Sequence, residues 1–364
     1  MKIAYDPQAF VMQKYGGISR YYARTIEHIG LRGHRAKVFA PINQNSYLRD
    51  LSRGEVFGVT LDGLPKGSGR VVRTINGIVN QISIAAWKPD VLHRTYFEEG
   101  RRAPNGVPTV TTVYDMIHEL YPTAFGAGDR TAELKRQAVW QADHVLCISQ
   151  STKDDLIRLT GLPAEKATVV YLGAEDWPLE SLTASHGERP YLLFVGSRAG
   201  YKNFSGLLKA YALSPRLRKD FDIVAFGSHD FDASEYDMVS DLGVDHANVR
   251  HLRGDDQRLR QVYRGAKAFI YPSLYEGFGL PPLEAMTQNC PVITGRVSSI
   301  PEVAGTAAEY FDPNQPEDIS RAIESVVYSD GRSGELINLG RNRIAEFSWQ
   351  RCADETLSVY GRLL

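Results

Sequence analysis

Two carboxylates, Glu276 and Glu284, flank the seven-residue run Gly277-Phe-Gly-Leu-Pro-Pro-Leu283. The apolar stretch Ala268-Phe-Ile-Tyr-Pro272 before it reads as a strand, and Pro282 to Gln288 after it reads as a helix that starts at proline. A strand, a flexible turn and a helix start together make an anion site, because the first helical N–H groups have no internal partners. Glu284 falls about one turn into that helix, while Glu276 stays in the loop. One carboxylate then faces one end of a bound ligand and the second another part. A sugar nucleotide, with its diphosphate in the middle, has that layout. The same residue types also serve a ligand-free helix, since a glutamate in the first turn stabilises the helix dipole.

Other positions carry weaker chemistry. Gly16 and Gly17 allow a ligand close to the backbone, or simply form the turn into a helix. Arg20, just beyond them, serves either a phosphate or the surface. Asp220-Phe-Asp222 and Asp230-Phe-Asp232 have the letters of a metal-binding acid pair, but read as surface acids. No metal and no cofactor is therefore expected. Ser299-Ile-Pro-Glu302 reads as a capping box, with Ser299 at the N-cap and Glu302 reaching back. His93 ends a strand and reads as a core or capping histidine.

The elements that position these residues repeat twice along the chain. In the first half, Ile3-Ala-Tyr5, Lys37 to Ala40, Asp90 to His93, Pro108 to Tyr114 and His144 to Ile148 read as strands. Ile18, Tyr22, Ile26 and Ile29 recur at helical spacing between the first two. After a polar stretch the pattern restarts, with strands at Tyr191 to Val195, Asp222 to Phe226, Val249 to Leu252, Ala268 to Tyr271 and Pro291 to Thr294. Alternating strands and helices imply parallel sheets covered by helices. The expectation is two doubly wound Rossmann-like α/β domains, residues 1–175 and 190–347, joined by a linker at 176–189. A last helix at 348–364 presents Trp349, Cys352, Thr356, Tyr360 and Leu363 on one face. Ligands bind such sheets beyond the carboxyl ends of their strands, here expected in the cleft between the domains.

Composition narrows the function. A chain of 364 residues is long for one core, and 43% hydrophobic with 23% charged residues is globular. A net charge of -1 gives no basic face for nucleic acid. Cys147, Cys290 and Cys352 are scattered without metal-ligand spacing, which fits a reducing cytoplasm. The N-terminus begins directly with a strand and not a signal peptide, and no apolar run reaches the roughly 20 residues needed to span a bilayer. Contact with a membrane would be peripheral, on its inner face. Arg49 to Arg73 is the candidate, where Arg49, Arg53, Lys66, Arg70 and Arg73 interleave with Leu51, Phe57, Leu61, Leu64 and Val71. The alternative for that stretch is a solvated surface.

Taken together, Tyr15-Gly-Gly-Ile-Ser-Arg20, Cys147 to Leu156, Gly196-Ser-Arg-Ala-Gly-Tyr-Lys-Asn203, Pro272 to Glu284 and Ile300-Pro-Glu-Val-Ala-Gly305 resemble the retaining glycosyltransferases of the GT-B fold, family four. The likeness runs nearly end to end, and the Glu-x7-Glu loop is its specific part. It implies transfer of a sugar, with retention, from a nucleoside diphosphate sugar to a hydroxyl of a glycan or lipid-linked acceptor in surface polysaccharide assembly. A mannosyl donor carried on GDP is favoured over a UDP-sugar. By that resemblance Glu284 holds the ribose hydroxyls and Glu276 the transferred sugar, with backbone N–H groups of Phe278, Gly279 and Leu280 on sugar or diphosphate. Lys202 matches the family cation for the leaving diphosphate, and Arg198 is the substitute for its arginine. Thr112 to His118 resembles the acceptor-side loop: Asp115 matches, Tyr114 stands where a histidine is usual, and His118 either compensates or is a core or capping histidine. A nicotinamide dehydrogenase fits poorly, because Gly67-Ser-Gly69 lacks a third glycine and a preceding strand. A sugar-nucleotide epimerase on the same fold and a non-catalytic sugar-nucleotide-binding protein are the remaining alternatives.

Overall fold

Short runs of Val, Ile, Leu and Ala, buried on both faces, build two all-parallel sheets, as expected where helices cover each side. The computed structural model describes residues 1–52, 54–64, 67–98, 103–104, 106–180, 189–198, 200–227 and 229–364. Arg53 and Lys66 of the basic stretch lie outside these residues, as does most of the stretch read as a linker. The chain divides into two units, Met1–Gly173 with Phe347–Leu364, and Ala174–Glu346.

The first unit holds β1 (Lys2–Tyr5), β2 (Arg35–Asn43), β3 (Val56–Thr60), β4 (Val91–Arg94), β5 (Thr109–Val113), β6 (His144–Cys147) and β7 (Ala167–Val169). Their order across the sheet is β3-β2-β1-β4-β5-β6-β7. The second unit holds β8 (Tyr191–Val195), β9 (Asp222–Phe226), β10 (Val249–Leu252), β11 (Ala268–Tyr271), β12 (Val292–Gly295) and β13 (Ala308–Phe311), in the order β10-β9-β8-β11-β12-β13. Each sheet thus reverses its winding beside its first strand, between β1 and β4 and between β8 and β11. Loops leaving such a switch point diverge to opposite faces and open a crevice.

Three helices of the first unit matter below: α1 (Gln8–Met12), α2 (Gly17–Leu31) and α3 (Gly69–Trp87). The terminal helix Trp349–Gly361 packs on α2 within this unit, with Trp349, Cys352, Thr356 and Tyr360 buried. Residues 174–180 belong to the second unit: Gln288 accepts from the Glu180 N–H and donates to the Pro178 carbonyl, and Arg260 pairs with Glu180 at 2.9 Å. The break between the units, after Gly173, therefore comes before the stretch read as a linker.

The strands β3, β7 and β13 and the helix α3 have no counterpart in the sequence reading. The three strands are short or outer elements whose burial is mixed, so no two-residue apolar rhythm emerges. In α3 the rhythm is inverted. Its buried positions are Val72, Asn76, Asn80 and Ile84, and Asn76 exchanges two hydrogen bonds of 2.8 Å with the backbone of Ile42.

Candidate active site

In the second unit, the loops after β8 and β11 leave the switch point side by side. The Leu274 N–H donates to the Tyr201 carbonyl at 2.8 Å and joins them. Asn203, in the left-handed region at φ 56°, adds side-chain hydrogen bonds to the carbonyls of Pro272 and Pro313. This stitching brings Lys202 from one loop to Glu276 from the other. The Lys202 Nζ lies 2.7 Å from Glu276 Oε1 and 3.4 Å from the Tyr271 hydroxyl, and both charged side chains are largely shielded. Tyr271 is fully buried, and that burial, reinforced by the Glu276 charge, drives its hydroxyl well above the usual phenol range. The Tyr271 hydroxyl therefore stays protonated.

The turn beyond Glu276 is held from a third loop. The Glu276 N–H donates to Ser298 Oγ at 2.8 Å, and Ser299 Oγ donates to the carbonyls of Glu276 and Phe278 at 2.8 and 3.0 Å. This corrects the capping-box reading. Ser299 has helical backbone angles and makes no cap hydrogen bond, so its hydroxyl is turned to the Glu276 loop instead. Ser298, at φ 42°, takes the left-handed turn that aims both side chains.

Gly279 sits at φ 108°, and a Cβ there would lie 2.8 Å from Ile300 Cδ1. The backbone angle favours glycine, and a Cβ would in addition push the end of the Ile300 side chain aside. The helix Leu280–Thr287 starts next, and Pro281 and Pro282 in its first turn have no N–H. The donor set at this helix start is thus Phe278, Gly279 and Leu280, narrower than a full first turn. Glu284 is buried on the same helix, and its Oε2 accepts from the Tyr263 hydroxyl at 3.2 Å.

Arg198 does not join this group. Its Nε and Nη2 make a two-pronged contact with Glu235 at 2.6 and 2.9 Å, Nη2 also reaches the His229 carbonyl at 2.8 Å, and the guanidinium lies 4.4 Å over Phe231. Only 1% of the side chain is exposed. A planar cation held in this way ties down the start of the Ala233–Asp241 helix. Neighbouring acids are structural too. Asp232 caps that helix in a capping box with Glu235, and Asp222 is buried between Arg189 and Arg250, its carboxyl pushed upward by burial.

In the first unit, residues after β1 and β4 line a groove of about 690 Å³, with Pro7, Met12, Tyr96, Phe97 and Leu134 as apolar walls and Arg73, Glu98 and Arg130 as charged ones. The Gln8 amide donates to Glu98 and joins the two loops. Sequence reasoning missed this groove; the aromatic pair Tyr96-Phe97 directly after a strand was its only trace. Gly16 and Gly17 open α2. The Gly16 Cα faces the Gln13 amide, which caps the helix by accepting from the Ser19 N–H at 3.2 Å, and Arg20 is buried one turn on.

Asp115 and His118 share a cavity of about 20 Å³ with Tyr96, Phe97 and Lys135, room for one water. Asp115 Oδ1 accepts from the Ile117 N–H, and the Lys135 Nζ donates to the Asp115 carbonyl at 2.7 Å. His118 stacks on Phe125 with centroids 3.9 Å apart, and burial holds its imidazole below the usual histidine range. Tyr114 is enclosed, its hydroxyl 2.7 Å from the Thr95 carbonyl and 2.6 Å from the Tyr22 hydroxyl. It belongs to the core.

The chain matches the family described as glycosyl transferases group 1 over residues 180–343 and that described as glycosyltransferase family 4 over residues 15–176. It is 30% identical over 268 residues to the O-antigen chain mannosyltransferase B of Escherichia coli, covering 70% of each protein. It is 27% identical over 312 residues to the serotype-specific mannosyltransferase WbdA of Escherichia coli, covering 78% of this chain but 38% of that longer one. Among solved structures, the sucrose-phosphate synthase of Thermosynechococcus elongatus superposes with a TM-score of 0.78 at 18% identity, over 100% of this chain and 99% of that one. The fold is GT-B, and the chain belongs to the group 1 glycosyltransferases of family four.

Proposed function

We propose that this family four glycosyltransferase moves a mannosyl group, with retention, from GDP-mannose to a hydroxyl of a glycan or lipid-linked acceptor in surface polysaccharide biosynthesis. The carrying observation is the Lys202–Glu276 contact of 2.7 Å at the switch point, beside the Gly279 turn. The names of the two relatives above, both mannosyltransferases, favour mannose over other sugars.

In this reading the donor sits on the second unit. Lys202 and the N–H groups of Phe278, Gly279 and Leu280 meet the diphosphate, and their positive ends stabilise the charge that develops on it as the glycosidic bond breaks. Glu276 accepts from hydroxyls of the sugar. Glu284 accepts from the two ribose hydroxyls, which suit its two oxygens. A donor phosphate oxygen takes the acceptor proton, so neither a protein nucleophile nor a metal is required, and Glu276 and Glu284 do not act as a glycosidase pair. The acceptor belongs to the first unit's groove, with Asp115, His118, Arg20 and the Gly16-Gly17 turn as the polar groups assigned to that side. Its largely apolar walls suit a lipid-linked glycan met peripherally at the inner face of a membrane. No helix among the described residues is long and apolar enough to cross one.

A thermal-shift panel of GDP, UDP and ADP tests the donor, because only the cognate nucleotide stabilises the fold strongly. GDP is expected to raise the Tm most, and equal shifts from all three would refute the GDP assignment. NMR of the product anomeric proton then checks retention, with the transfer rate expected to survive a chelator.

A further inference from the structure

We propose that Tyr263 positions Glu284 so that the donor site distinguishes ribose from deoxyribose, which rests on the ribose role given to Glu284 above. Tyr263 comes from the helix Asp256–Gly265, and its side chain is fully buried. Its hydroxyl donates to Glu284 Oε2 at 3.2 Å, from one helix to the next. A buried phenol needs a partner for its hydroxyl, and a buried carboxylate needs donors. One hydrogen bond serves both. A phenylalanine fills nearly the same volume with no polar atom to satisfy, so packing alone gives no reason for the hydroxyl. The acid gives one.

The surroundings leave the Tyr263 ring a single seat. The Phe269 ring of β11 packs edge-on against it, with centroids 5.3 Å apart. Its own helix is tied at the next two residues. The Val262 carbonyl accepts from the Tyr191 hydroxyl at 2.7 Å, and Arg264 Nη1 reaches the Gln288 carbonyl at 3.4 Å, just past the helix of Glu284. The carboxylate has no such rigidity of its own, because the terminal torsion of a glutamate is broad. That freedom matters for a vicinal diol. The two ribose hydroxyls lie side by side and use both carboxylate oxygens together. A carboxylate turned about that torsion meets one hydroxyl and misses the other. The Tyr263 bond to Oε2 removes the rotation, and a carboxylate oxygen with two lone pairs keeps one for the sugar. Tyr263 thus acts through Glu284 and makes the second hydroxyl count.

The test is calorimetry on the full chain with GDP against 2′-deoxy-GDP, and UDP against 2′-deoxy-UDP. Wild type, Tyr263→Phe, Glu284→Ala and the double variant are compared. Wild type should prefer the ribose form of its nucleotide by about tenfold or more, the scale of one hydrogen bond to a carboxylate. Tyr263→Phe keeps the ring against Phe269 and removes the hydroxyl alone. It should cut that preference by about threefold or more, as expected when a binding group loses its support, with affinity for the deoxy form little changed. In the Glu284→Ala background the same substitution should have no further effect on the preference. Damage to packing lowers the Tm and weakens both sugar forms alike, so it does not imitate this pattern. A full wild-type preference in Tyr263→Phe, with the preference lost in Glu284→Ala, overturns the proposal and leaves the ribose role standing. A preference that Tyr263→Phe lowers equally with and without Glu284 also overturns it. A preference absent from wild type, or retained by Glu284→Ala, removes the ribose role itself and the proposal with it.

Discussion

Two arginine or lysine side chains from the same loop end in opposite situations, and the difference predicts their phenotypes. Lys202 keeps a contact with solvent and faces Glu276, while Arg198 is enclosed against Glu235 and Phe231. Breaking a buried ion pair by deleting one partner costs about 3–5 kcal/mol, because the other charge is left unpaired. Arg198→Ala should therefore lower the unfolding free energy, read from urea denaturation, by that order while leaving donor affinity of the folded fraction intact; an unchanged unfolding free energy would restore Arg198 to the diphosphate. The two glutamates separate in kinetics. Glu284→Ala should weaken nucleotide binding, measured by calorimetry, since it removes the ribose contact. Glu276→Ala should lower turnover about a hundredfold, the scale of one positioned transition-state contact, with the donor still bound. Unchanged nucleotide affinity in the first variant would remove the ribose role from Glu284.

At the scale of elements, the loop after β11 is defined by what grips it. The Ser298-Ser299 pair fixes its backbone at Glu276 and Phe278, and Gly279 supplies a turn that other residues adopt at a cost of about 1–3 kcal/mol. Gly279→Ala adds a clash with Ile300 to that strain. It should cut kcat more than tenfold and lower the Tm, and a fully active, equally stable variant would show that the turn is not needed in this form. The sequence exposed the loop because its chemistry is local: two acids, two glycines and two prolines within nine positions. It concealed the grip, because Ser299 lies over 20 residues away and its letters also spell a capping box. The strands buried on both faces were legible as unbroken apolar runs. The edge strand β3 and the helix α3 were not, since Phe57, Val59, Ile78 and Ile82 face outward while Asn76 and Asn80 face inward. The Arg198 surroundings were hidden for the same reason. Loop position after β8 suggested a ligand contact, and only the three-dimensional neighbourhood reveals Glu235, 37 residues on.

The whole first unit is tied together through a buried polar network that spans the chain from end to end. The Tyr360 hydroxyl of the terminal helix lies 3.1 Å from that of Tyr5 in β1 and 2.5 Å from His93 Nδ1 in β4, while His93 Nε2 meets Thr112 Oγ1 in β5 at 2.8 Å. Burial pushes the His93 imidazole down to about 3, so it is neutral in the folded state across the ordinary range. Nearby, burial pushes the Asp6 carboxyl up to about 6 despite Arg94 at 3.8 Å. These two groups act on stability with opposite signs. Between about 3 and its unfolded value near 6.5, His93 is protonated in the unfolded chain and neutral in the folded one. The unfolded state then binds more protons, so the His93 contribution is fully present above pH 6.5 and is lost as pH falls. Asp6 holds its proton in the folded state between an unfolded value near 4 and about 6, so its contribution is fully present below pH 4 and is lost as pH rises. In wild type the two slopes offset one another between pH 4 and 6. Asp6→Asn removes one of them. Its stability relative to wild type should climb across that window by about 1 kcal/mol per pH unit, measured by urea denaturation at fixed pH values. His93→Gln should show the opposite trend, declining relative to wild type as pH rises from 4 to 6.5. Parallel curves for wild type and Asp6→Asn would mean that the Asp6 carboxyl is charged in the fold, and that Arg94 outweighs burial there.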